Sequence, residues 1–195
     1  MKVLLFFFMF FVGCAQTSPL LLPAGRGPTA LSQEVIRVII KPIATQGIGS
    51  EDEKKWKLDI SDYFTAFQVT ILNDTKKDIF FEPVQSNLLT EGGGKYQALD
   101  AEESINYYRD EGDLSRITLI PKSIIKVDRE TRILKKVRSR DGLIRPGDQN
   151  KGLIFFKKVS QDRCTKIVLE IEGISVVETG EKKLFSFPLS CKVEK

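Results

Sequence analysis

The alternation of apolar and polar positions predicts that most of this chain folds as β-strands. In residues 63–72, Phe67, Val69 and Ile71 recur at every second position, with polar residues between them. A period of two puts the apolar side chains on one face of a strand, and that face is then buried. Similar short segments between turn residues predict strands at 34–43, 79–82, 87–90, 95–99, 143–145, 152–158, 165–172, 174–178 and 183–189.

Two segments between the early and late strands have a helical pattern instead. Asp100 is followed three residues later by Glu103, a spacing typical of a capping box at the start of a helix. In 121–140 the apolar residues are spaced by three, seven and three positions: Ile124, Val127, Leu134 and Val137. That spacing predicts a second amphipathic helix, and a hairpin turning at 128–131 is the alternative. We therefore expect a helical insertion at about 100–140.

The N-terminal stretch shows no alternation. Residues 3–12 are all apolar and follow Lys2. This length matches the hydrophobic region of a secretory signal peptide and falls short of the roughly 20 residues that a membrane-spanning helix needs. We predict a signal peptide at 1–13 and a flexible tether at 14–33, where proline and glycine are frequent. The remainder, 34–195, is predicted to form one domain.

The residues Phe11, Val12, Gly13 and Cys14 resemble the lipobox of bacterial lipoproteins, which are cut just before a cysteine that is then acylated. Phe11 departs from the leucine that is usual there. The resemblance implies a lipid anchor on Cys14 and a place in the cell envelope. Ala15 further implies the periplasmic side of the outer membrane, if the organism has two membranes. Ordinary cleavage after Ala15 is the alternative, since Gly13 and Ala15 are both small.

Composition narrows the range of functions. The chain has 195 residues, a formal net charge of +4 and no histidine. Without histidine, neither a Ser-His-Asp triad nor a Cys-His pair can form, and the commonest ligand of catalytic zinc is missing. We therefore predict no catalytic residues, no metal site and no cofactor. A secreted or envelope hydrolase that uses carboxylates is the alternative function, with Asp59, Asp62 and Glu102 as its candidate acids.

Cys164 and Cys191 remain once Cys14 is assigned to the anchor. An even pair in an oxidising compartment predicts a disulfide between them. The strand pattern opposes this in part, because Cys191 shares the parity of the apolar residues around it and Cys164 does not. A bulge at Pro188 would reset the alternation; two buried free thiols are the alternative.

Positive charge is concentrated in the segment 122–145. On the helix predicted there, it forms a candidate patch for anionic lipid headgroups or for an acidic envelope protein. The solvated face of an amphipathic helix is the alternative. Nucleic acid is not expected as a partner, because no aromatic residues for base stacking are interleaved with the charges. The patch consists of Lys122, Lys126, Arg129, Arg132, Lys135, Lys136, Arg138 and Arg140.

The order of strands and turns resembles the small immunoglobulin-like domains of many bacterial lipoproteins. The resemblance rests on three stretches, the last with a Pro-Gly turn ahead of an apolar strand: 67–73, 88–96 and 145–156. It implies a mainly β fold, an immunoglobulin-like β-sandwich, and offers no shared catalytic residues. The expected function is that of a non-enzymatic binding or assembly module, held at the membrane by its lipid anchor.

Overall fold

The chain forms two antiparallel β-sheets, as the alternating pattern predicted. A computed structural model describes residues 20–23, 29–43, 58, 60–114, 124–159 and 166–192. The strands of these residues are β1 (Leu20–Pro23), β2 (Thr29–Gln33), β3 (Ile36–Ile43), β4 (Phe64–Asn73), β5 (Ile79–Phe81), β6 (Asn87–Thr90), β7 (Lys95–Gln97), β8 (Gly142–Ile144), β9 (Gln149–Lys157), β10 (Lys166–Val176) and β11 (Lys182–Lys192). The α-helices are α1 (Ile60–Tyr63), α2 (Ala101–Leu114) and α3 (Ile124–Val137).

The first sheet is built around β10. Its strands follow the order β1-β11-β10-β5-β8, while β6 also pairs with β10 and carries β7 on its outer side. β10 covers two segments that the sequence predicted as separate strands. Its register with β11 shifts between Ile171 and Ile174, near the point where the prediction divided it. At this irregularity the Glu82 amide donates to the Gly173 carbonyl at 2.8 Å. A Cβ at Gly173 would lie 1.9 Å from the Glu82 carbonyl oxygen, so only glycine allows the two backbones to meet.

The second sheet has the order β2-β3-β4-β9, and its inward face packs on the first sheet. The Phe67 ring of β4 meets the Phe156 ring of β9 edge-on, with centroids 6.0 Å apart. Phe81, Phe185 and Phe187 of the first sheet belong to the same apolar core. Each fully buried phenylalanine contributes about 1.5–3 kcal/mol. Two sheets around one core form the layered arrangement of a β-sandwich.

The helices α2 and α3 pack on the outward face of the second sheet. A separate apolar cluster joins Tyr108 of α2 and Leu134 of α3 to Leu153 and Phe155 of β9. The second predicted helix is confirmed over Ile124–Val137, and the alternative hairpin there is wrong. Ile133, Leu134 and Val137 of this helix belong to the apolar cluster that includes Leu153 and Phe155, as expected for an amphipathic helix. Neither of these helices, nor any other among the residues that the structure describes, is long and apolar enough to cross a bilayer.

The flexible tether predicted at 14–33 is wrong for the residues that the structure describes. Strand β1 pairs with β11, with Leu20 opposite Lys192, and β2 pairs with β3 along its whole length. Proline and glycine are concentrated at 23–28, between these two strands. The prediction wrongly extended their effect to the whole of 14–33. The flanking apolar residues instead pair with open strand edges. The predicted signal peptide and residues 14–19 lie outside the described residues.

Candidate functional site

The candidate binding surface is the outward side of α3. Glu130 and Leu134 are buried on the inward side of this helix. With 3.6 residues per turn, its exposed charged residues fall within an arc of about 120°, and Asp128 is the carboxylate among them. The exposed cations, which we term the basic face, are Arg129, Arg132, Lys135 and Lys136.

The charge of the basic face is not neutralised by the part of the chain that the structure describes. The ion pairs of the described residues involve other cations, such as Arg37, Lys77 and Lys183, and none involves the basic face. Arg132 Nε donates to the backbone carbonyl of Asp128 at 3.2 Å, which aligns the side chain along the helix and leaves its charge uncompensated. The basic face therefore presents positive charge to an external partner.

The C-terminal end of α3 is fixed to the edge of β9. Arg138 forms a parallel bridge with Leu153, and the Ser139 amide donates to the Leu153 carbonyl at 2.8 Å. This approach requires Gly152, because a Cβ there would lie 2.4 Å from Ser139 Cα. The sheet therefore sets the position of the helix and of its basic face.

A buried polar contact joins α3 to α2 beneath the basic face. The Tyr108 hydroxyl donates a hydrogen bond to the Glu130 carboxylate, and the two residues are only 1% and 4% exposed. The Tyr63 ring packs edge-on against the Tyr108 ring, with centroids 4.7 Å apart. Burial raises the pKa of Tyr108 far above its usual value, and the hydrogen bond and negative charge of Glu130 raise it further. Tyr108 therefore stays protonated and keeps its role as donor.

The structure brings together only part of the predicted patch. The Arg138 side chain is 10% exposed and lies 4.0 Å from Asp141, so it does not belong to the basic face. Arg140 is exposed beyond the end of α3, where its carbonyl accepts a hydrogen bond from Asn150. Lys122 and the side chain of Lys126 lie outside the described residues.

Among the predicted cysteine sites, only Cys191 lies in the described part. It is half-buried on β11, opposite Leu21 of β1, and it is disulfide-bonded. Cys14 and Cys164 lie outside the described residues, so acylation of Cys14 and the bond between Cys164 and Cys191 stay predictions.

The candidate acids of a hydrolase are described only in part. Glu102 is exposed on the first turn of α2, while Asp59 and the side chain of Asp62 lie outside the described residues. Within the described chain, no group of three or more acidic, cysteine or histidine side chains is placed to hold a metal ion.

A groove beside β7 was not predicted. It has a volume of about 470 Å³ and is lined by residues from three parts of the chain: Val84, the stretch 95–103 and Lys157. Val84 and Lys157 reach the stretch 95–103 only through the fold, so the sequence alone did not mark the groove.

Comparison with known proteins identifies no family for this chain. No family model and no curated protein matches it. Among solved structures, it is similar to the crystal structure of a functionally unknown protein from Listeria monocytogenes EGD-e. The two chains are 12% identical, 88% of each is covered, and the TM-score is 0.45. At this similarity, neither a family nor a function follows for this chain.

Proposed function

We propose that this protein is a lipid-anchored lipoprotein of the cell envelope and acts as a non-enzymatic binding or assembly module. The basic face of α3 contacts the anionic headgroups of the membrane that holds the anchor. One observation carries the proposal: four exposed cations share one helix face with a single carboxylate and form no ion pair within the described chain.

The distance from the proposed anchor to the domain favours lipid as the partner. Leu20 is already paired in the first sheet and follows Cys14 by six positions. An extended chain spans at most about 3.5 Å per residue, so the sheet begins within roughly 20 Å of the acylated sulfur. Each lysine or arginine close to an anionic surface contributes about 1 kcal/mol. For a domain held this near, four cations suffice to orient it on the headgroups.

We propose further that the domain is immunoglobulin-like. The supporting contact lies at the end of β4, where Asn73 meets the turn that precedes β9. Its backbone carbonyl accepts from the Gly147 amide at 2.7 Å, and its amide donates to the Asp148 carbonyl at 3.0 Å. The strand end and the Pro-Gly turn on which the sequence resemblance rests are therefore in direct contact.

Hydrogen exchange of the acylated protein in vesicles tests the membrane contact. We expect the amides of α3 to exchange more slowly in vesicles that contain phosphatidylglycerol than in vesicles of phosphatidylcholine alone. The triple variant Arg129→Glu, Arg132→Glu, Lys136→Glu is expected to lose this protection. The matched control reverses the same amount of charge at exposed cations elsewhere: Lys76, Arg145 and Lys182.

Equal protection on neutral vesicles, or loss of protection in the control variant as well, would overturn the proposed contact. Protection that appears only after an acidic envelope protein is added would mean that the basic face binds a protein and not the lipid headgroups. Mass spectrometry of the mature N-terminus tests the anchor separately. A diacylated or triacylated Cys14 is expected, and an unmodified chain that begins at Gln16 would reject the anchor.

A further inference from the structure

The outer edge of β7 has backbone hydrogen-bonding groups that no strand of the described chain uses. In its ladder with β6, the Thr90 amide donates to the Gly94 carbonyl at 2.8 Å, and the Ala98 amide donates to the Ser86 carbonyl at 2.9 Å. Bonded positions alternate in an antiparallel ladder, so the backbone groups of Lys95 and Gln97 point away from β6. β7 has no other strand partner among the described residues, and this edge is open.

The backbone of Leu99, two residues beyond Gln97, confirms which side of β7 faces away from β6. Leu99 has the same parity as Lys95 and Gln97, and its amide donates to the Phe155 carbonyl of β9 at 2.8 Å. The side of β7 that reaches β9 at Leu99 is therefore open at Gln97 and Lys95. The groove of about 470 Å³ lies along this open stretch, with Lys157 at the end of β9 on its rim. Its volume falls in the range of ligand sites.

Two cations line the groove, Lys95 on β7 and Lys157 at the end of β9. Asp100 and Glu103 also line it, but their carboxylates accept hydrogen bonds at the start of α2: Asp100 from the Glu103 amide at 2.7 Å, and Glu103 from the Asp100 amide at 2.8 Å. The helix N-terminus stabilises these two carboxylates where they stand and engages them in its own capping contacts. Lys157 is exposed and forms no ion pair with any part of the chain that the structure describes.

We propose that this groove binds an extended peptide segment, which adds a strand to the open edge of β7 and places an acidic side chain near Lys157. The backbone groups of Lys95 and Gln97 supply the affinity, and the lysine supplies the preference for acid, as in other cases of strand addition. The site is separate from the basic face and does not depend on the lipid anchor.

Titration of the mature protein with a short peptide of alternating valine and aspartate, followed by amide NMR, tests this site. We expect saturable shifts at Lys95, Gln97, Leu99 and Lys157. Methylation of alternate peptide nitrogens removes the donors and is expected to weaken binding about tenfold. The same loss is expected for Gln97→Pro, which removes an outward amide and leaves the β6 ladder intact.

A second variant covers the case in which Gln97→Pro fails to fold. Lys157→Glu is expected to reverse the preference, so that a valine-lysine peptide binds more tightly than the valine-aspartate peptide. Shifts confined to α3, or binding unaffected by N-methylation, would refute strand addition. Shifts at Lys95 and Gln97 on raising the protein concentration alone would mean that the edge of β7 pairs with a second copy of the chain. That result would overturn the peptide proposal.

Discussion

Tyr108 donates a hydrogen bond to Glu130 and thereby connects α2 to α3 directly beneath the basic face. Glu130 is a charged residue in the inward face of its helix, where an unpaired carboxylate would be costly. Tyr108 lies in the apolar cluster that also contains Leu134. The two residues therefore combine a polar constraint with apolar packing, and together they determine how the basic face is presented.

Tyr108→Phe is expected to lower the free energy of unfolding by about 1–3 kcal/mol, because it removes a donor from a buried carboxylate while keeping the ring. Urea unfolding of the two proteins measures the difference. Tyr96→Phe is the matched control, since Tyr96 is half-buried and its side chain makes no hydrogen bond to any residue that the structure describes. We expect less than about 0.5 kcal/mol there. Similar losses in both variants would contradict a specific role for the contact.

The pKa of Tyr108 makes stability dependent on pH only in alkaline solution. Burial raises this pKa above its value in the unfolded chain, about 10. Below that value both states hold the proton, so its contribution to stability is fully present. As the pH rises further, the unfolded chain releases the proton while the folded protein keeps it, and stability falls.

An absorbance titration of the tyrosinates checks this expectation. Of the four tyrosines, at least one should ionise only when the protein unfolds. The variant Tyr108→Phe should lack that late step and show a weaker alkaline loss of stability. An unchanged late step in the variant would assign it to another tyrosine.

Gly152→Ala is expected to loosen the end of α3 from the second sheet. A Cβ there would overlap the backbone of Ser139, and relief of such an overlap typically costs about 1–3 kcal/mol. Gly142→Ala in β8 is the control, because its Cβ would meet nothing within 4 Å. Thermal unfolding and hydrogen exchange of α3 measure the two effects. Equal behaviour of the two variants would mean that the close approach of Ser139 does not hold the helix.

Local patterns predicted most of the elements, because periodicity and capping act within one segment. The strand β4 follows its alternation, and α2 begins at the predicted capping box. The second helix follows its apolar spacing, although only part of the predicted patch shares its exposed face. Arg138 does not share that exposed face, because it follows the last turn of α3 and its backbone bridges to Leu153 of β9.

Long-range relationships account for what the sequence did not reveal. Asn73 is buried, and its side-chain amide donates to the carbonyls of Lys77 and Ile144, each at 2.8 Å. Only the fold brings these two acceptors together. The pairing of β1 with β11 joins the two ends of the described chain. The groove beside β7 likewise depends on which strand edges stay open, and a single sequence contains no local signal for that.

Cys191 connects the fold to the proposed anchor, because only Cys14 and Cys164 are available as its disulfide partner. Cys164 precedes Lys166 by two residues, and Lys166 pairs with Ser190 beside Cys191. We therefore predict a Cys164–Cys191 bond across β10 and β11. Non-reducing peptide mapping identifies the partner directly.

Cys164→Ser and Cys191→Ser are each expected to lower the free energy of unfolding by about 2–4 kcal/mol, since either change opens the same loop. The double variant should lose no more than either single one, because both remove one bond. Cys14→Ser should leave stability unchanged and abolish acylation. A bond between Cys14 and Cys191 would contradict both proposals at once, because a sulfur held in a disulfide cannot carry the lipid.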